Sequence, residues 1–120
     1  MDNYKKEIGK IRRVYLAFDV FLVLVIDVDF GTKQQAFCPI LSEFDKTKNR
    51  VIGTSFGLDL IIQILDLFQV DILEKIVGRT VYVLRSSEDS YYSIVGFELP
   101  EFEFNKRLLL EDVKKEWNIK

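Results

Sequence analysis

The stretch Val14-Tyr-Leu-Ala-Phe-Asp-Val-Phe-Leu-Val-Leu-Val-Ile-Asp-Val-Asp-Phe30 decides the fold class. It reads as the end of one strand, a tight turn and a second strand. Before Asp19, Val14, Leu16 and Phe18 alternate with Arg13, Tyr15 and Ala17, a period of two that marks a strand over Ile8–Phe18. Asp19 suits the turn. The strand that follows, Val20–Phe30, is apolar on both faces in its first half, so both faces are expected to be covered there. Its second half alternates, with Ile26, Val28 and Phe30 on one side and Asp27 and Asp29 on the other.

Outward from this pair, Gly31-Thr32 marks a turn. Lys33–Cys38 reads as a third strand, ended at Pro39 because proline has no N–H for a ladder. Residues 42–53 form a polar connection, expected to be a mobile loop. Thr54-Ser55 is a helix start, and the helix should run to Phe68 or Gln69. It is apolar around most of its circumference, with a narrow polar stripe of Asp59, Gln63 and Asp66. Such a helix is buried on more than one side, in a core or against an oligomer partner. Asp71 opens a short helix closed by Gly78. Strands over Arg79–Arg85 and Tyr91–Leu99 flank a polar turn at 86–90, and Leu108–Trp117 forms a terminal helix.

The order β-β-(β)-α-α-β-β-α predicts an α+β class. One antiparallel sheet should be packed by one central apolar helix, in a single domain over residues 1–120. The ends, 1–7 and 118–120, are expected to fray.

Composition narrows the chemistry. The 120 residues include no histidine and one cysteine, Cys38. Imidazole-based nucleophilic sites and histidine-ligated metals are therefore excluded, and one thiolate cannot build a cysteine metal site. Cys38 is expected to be a small buried hydrophobe, and the lack of a second cysteine favours a reducing, cytoplasmic setting. The polar N-terminus lacks an apolar signal region, and the longest apolar run, Val20–Ile26, is far too short for a membrane helix. No cofactor, no metal and no enzymatic activity are expected. The net charge of −2 argues against direct nucleic-acid binding.

Several motifs resemble small uncharacterised proteins encoded by bacteriophages and prophages. They are the opening Ile8-Gly-Lys-Ile11 and the run Val70-Asp-Ile-Leu-Glu-Lys-Ile-Val-Gly78 leading into Thr80-Val-Tyr-Val83. The Gly/Trp-rich middle of that group is replaced here by Gln34-Gln-Ala-Phe37 and a charged segment. The resemblance brings no site residues. It implies a mobile-element origin, and small proteins of that source often block host machinery.

Four candidate sites follow. Glu98, Glu101 and Glu103, interleaved with aromatics and backed by Tyr82, Tyr91 and Tyr92, would make an acidic partner-binding ribbon suited to a basic groove. The competing reading is an ordinary amphipathic strand. Lys10, Arg12 and Arg13 would contact phosphate or nucleic acid, unless they only protect an edge strand by charge. Asp27 and Asp29 share a face and would hold a divalent ion in a nuclease, or simply lie on a solvated surface. Thr54-Ser55-Phe56-Gly57, opening a helix, is a weak phosphate cradle.

The leading expectation is a non-enzymatic binding protein that blocks a host protein or complex, for instance an inhibitor of a nucleic-acid-handling defence system. The second is a small ligand- or nucleotide-binding module, as a homodimer, using the apolar helix with Arg79 and Arg85. The third is a metal-dependent nuclease.

Overall fold

The computed structural model describes residues 4–86, 93–100 and 106–119. Over these the chain is α+β, with antiparallel strand pairing and two helices. The strands are β1 (Tyr4–Phe18), β2 (Leu22–Asp29), β3 (Gln34–Phe37), β4 (Ser42–Asp45), β5 (Arg50–Gly53), β6 (Thr80–Ser86), β7 (Ile94–Glu98) and β8 (Arg107–Leu109). The helices are α1 (Ser55–Phe68) and α2 (Leu110–Glu116). Six strands form one sheet in the order β3-β2-β1-β6-β7-β8, while β4 and β5 pair separately.

β1 is the long axis of the sheet. Its first half, from Tyr4 to Lys10, pairs with β6, and its second half pairs with β2. A bulge separates the two, since Ile11 lies opposite Val28 and Arg13 opposite Asp27, leaving Arg12 as the extra residue. The sheet curls enough to bring β3 to β7, which are not neighbours in its order. The rings of Phe37 and Phe97 meet edge to face, with centroids 5.1 Å apart.

Register puts Ile11, Val28 and Ile26 on one face, with Val81, Val83 and Phe97 from the other half of the sheet. These residues form a single buried cluster with Phe56, Leu60, Ile64, Leu67 and Phe68 of α1. The cap of α1 is as expected: the Thr54 hydroxyl accepts from the Gly57 N–H at 2.9 Å and donates to the Leu41 carbonyl at 2.8 Å. Gly57 has no Cβ because one would collide with the Leu41 backbone.

Several expectations are corrected. Residues 42–53 are a hairpin, not a loop. Asp45 Oδ1 accepts from the N–H groups of Thr47 and Lys48, and Asn49 takes a positive φ, so the polar run is its turn. Phe44 pairs with Val51 and Glu43 with Ile52, an alternation that the polar composition hides. Asp71 caps no α-helix. It binds Lys75 at 2.7 Å beside a short 3-10 turn, Leu73–Ile76, while Gly78 does take a positive φ and donates to Ile11 O. The chain is not frayed from Tyr4 onward, because Tyr4 already pairs with Ser86. Asn118 and Ile119 are tied back to the end of α2 through Lys115 O and Lys114 O. A second helix, α2, shares the packing assigned to α1 alone, and β8 extends the sheet beyond β7. Cys38 is exposed rather than buried.

Candidate functional site

The predicted acidic ribbon does not stand open at Glu98. This residue is 2% exposed, and both of its oxygens meet cations. Lys6 Nζ lies 2.7 Å from Oε2, and Arg107 Nη2 lies 2.7 Å from Oε1. Register explains the burial: Glu98 sits between Tyr82 on β6 and Arg107 on β8, so it is interior to the sheet. Desolvation pushes its carboxyl pKa up, but the bonds from Lys6 and Arg107 outweigh it and hold the group below its ordinary value of 4.5. Tyr82 is half-buried, with Lys6 over its ring at 5.8 Å. Glu101, Glu103, Tyr91 and Tyr92 lie outside the described residues.

The basic candidates are split by the bulge. Lys10 stands opposite Asp29 and Arg13 opposite Asp27, while Arg12 is the extra residue of the bulge, opposite neither. Arg13 is engaged: Nη2 is 2.6 Å and Nε 2.8 Å from Asp27 Oδ2, and the guanidinium lies over Tyr15. Asp29 accepts from the Gly31 N–H at 2.8 Å, which makes it a turn residue. Among the described residues no cluster of His, Cys, Asp and Glu is assembled that could hold a metal ion.

The cations of the ligand-binding reading are used internally. Arg85 is buried, bonded to Glu7 and Gln35, with its guanidinium 5.2 Å from the Phe30 ring centroid. Arg79 lies over Phe68 and donates to that residue's carbonyl. A cavity of about 420 Å³ opens where the start of α1 meets α2, lined by Ser42, Thr54, Phe56, Lys114 and Cys38 among others. Thr54 already caps α1, and Ser42 Oγ accepts from the Leu22 N–H. Burial, and then the Asp27 charge, push the Cys38 thiol above its ordinary value of 9.0, which keeps it a weak nucleophile.

Two open surfaces are apolar; the sequence pointed to the excess apolar surface of the first without naming its residues, and did not single out the second. The first is the outer side of α1. The stripe Asp59–Gln63 is turned toward α2: Gln63 donates to Asp59 at 2.9 Å, and the Trp117 indole N–H donates to Asp59 at 3.0 Å. With Asp59 and Gln63 taken up there, α1 presents Leu58 (68% exposed) and Ile62 (60%) outward, and of its polar stripe Asp66 stays exposed. The second is the outer end of the β1–β2 hairpin, where Leu16 is 50% and Phe18 67% exposed, with Val20 at the turn. Both lie in segments that have more apolar residues than one buried face needs. That pattern signals an uncovered side without saying which side it is.

No helix among the described residues is long and apolar enough to cross a membrane. No family model, no curated protein and no solved structure matches the chain.

Proposed function

We propose that the chain is a non-enzymatic binding protein that occupies a site on a larger protein. The observation that carries this reading is the inverted polarity of α1. A helix on the surface of a self-contained domain turns its polar stripe to water. Here Asp59 and Gln63 serve the contact with α2, and Leu58 and Ile62 take the outer position, one turn apart. The only charges on α1 are the carboxylates of Asp59 and Asp66. The fitting partner surface is therefore an apolar groove with basic residues on its rim. Glu101 and Glu103 would extend the same charge preference. The resemblance to bacteriophage and prophage proteins favours a host protein in the bacterial cytoplasm, and a nucleic-acid-handling defence complex has the required basic grooves.

The test is a capture experiment with matched variants. Wild type, Leu58→Glu/Ile62→Lys, and Glu101→Lys/Glu103→Lys are each used as bait in bacterial lysate at low and high salt. The proposal expects one protein bound by wild type and lost with the α1 variant, with weaker capture at high salt. A partner retained by the folded α1 variant would overturn the docking face. Wild type that captures no protein the α1 variant does not also capture would overturn the function.

A further inference from the structure

The second half of β1 has one open edge. On the β6 side its last backbone partners are Gly78 and Arg79, both bonded to Ile11. The β1–β6 pairing stops at Lys10. Past that point β1 pairs only with β2, through Phe18 opposite Leu22. In an antiparallel ladder, residues on one face send their N–H and C=O groups to the same side. Ile11 points to β6, so Val14, Leu16 and Phe18, on its face, point the same way with no strand to receive them among the described residues. Natural edges are blunted by charge, proline or bulges. Here the bulge and both arginines precede Val14, and Val14–Phe18 carries no charge and no proline.

We infer that this edge is covered by a second copy of the chain, with β1 pairing antiparallel to its counterpart about a two-fold axis at Leu16. Charge complementarity selects the register. With Leu16 opposite itself, Val14 meets Phe18 on one face, Tyr15 meets Ala17 on the other, and Arg13 of each copy, which holds its own Asp27 but is 56% exposed, comes opposite Asp19 of its partner. Moving the axis one residue toward Phe18 replaces that ion pair by Tyr15 against Asp19 and leaves Arg13 facing Phe21. The contact is self-complementary, as a two-fold interface requires, and it adds ladder hydrogen bonds to apolar contact. It uses a different surface from the outer side of α1, so each proposal stands or falls without the other.

The experiment uses the full chain carrying Cys38→Ser, so that no native thiol interferes. Light scattering across a concentration series is expected to give twice the chain mass at the upper end and dissociation on dilution. Opposed residues of a hydrogen-bonded antiparallel pair sit about 5.5 Å apart at Cα, within disulfide reach. Leu16→Cys should therefore cross-link to itself under mild oxidation. Val14→Cys and Phe18→Cys should not cross-link alone, but should when mixed. Leu16→Lys places like charges on the axis and should leave a monomer with the wild-type circular dichroism spectrum; if that variant loses the spectrum, Phe18→Lys takes its place. A monomer at the highest soluble concentration would overturn the inference, as would a dimer that survives the folded lysine variant or fails to cross-link at position 16.

Discussion

The two halves of β1 belong to one strand and are built on different terms. From Tyr4 to Lys10 the strand has a backbone partner in β6, Ile11 bonds to Gly78 and Arg79 just before it, and two of its charged side chains reach buried partners: Lys6 to Glu98 and Glu7 to Arg85. From Val14 to Phe18 the strand has β2 as its one partner among the described residues and carries no charge, and two of its side chains are at least half exposed. The buried ion pairs of β1 lie where the sheet is already closed, and its uncharged run lies where it is open. An isolated domain tuned only for solubility would show the reverse. The difference marks the first half as scaffold and the second as surface for contact.

Substitutions sharpen that contrast, beginning with the largest effect. Ile11, 1% exposed, closes the first half. Ile11→Ala leaves a cavity in the core cluster that also holds Val28, Val81 and Ile76, and should cost about 2–5 kcal/mol in urea unfolding. Glu98→Gln removes the buried carboxylate that Lys6 and Arg107 share. Because both cations are partly exposed and regain water, the expected cost is about 1–3 kcal/mol, below that of breaking a fully buried pair.

The same triad sets a pH dependence. The folded-state pKa of Glu98 is lowered, so its contribution is fully present above the unfolded value and is lost as pH falls through the folded value. Wild type should thus lose stability more steeply than Glu98→Gln does as pH falls through and below the ordinary carboxylate range. Parallel acid unfolding curves would remove the triad from the account. Thr54→Ala, which deletes the α1 cap, should cost about 1 kcal/mol. Smallest of all, Leu16→Ala in the second half should change the stability of the dilute chain by no more than about 0.5 kcal/mol. A loss there as large as that for Ile11→Ala would erase the distinction between the halves.

Much of the frame was legible in the sequence. The limits of α1 followed from the Thr54 hydroxyl and the apolar run behind it, and the strands β1, β2, β6 and β7 from their alternation. The hairpin over 42–53 was hidden because four of its residues form a polar turn, and Phe44, Val51 and Ile52 alone carried the strand signal. Glu98 could not be placed, because its local sequence groups it with Glu101 and Glu103 while its partner Lys6 comes from the opposite end of the chain. The inward turn of Asp59 was equally invisible, since the indole it accepts from is 58 residues away. Local pattern gave the elements, whereas the open sides depended on which long-range partners arrived. The candidate site consists of what those partners left uncovered.

Residue-resolved amide hydrogen exchange at low and high protein concentration tests the two-halved strand most directly. The account predicts that the Ile11 amide, bonded to Arg79 O, is protected at both concentrations. The Leu16 and Phe18 amides should exchange rapidly in dilute protein and become protected as concentration rises. Protection of Leu16 and Phe18 at every dilution would mean that this chain already closes the edge by itself. Rapid exchange of both at every concentration would mean that no second copy pairs there.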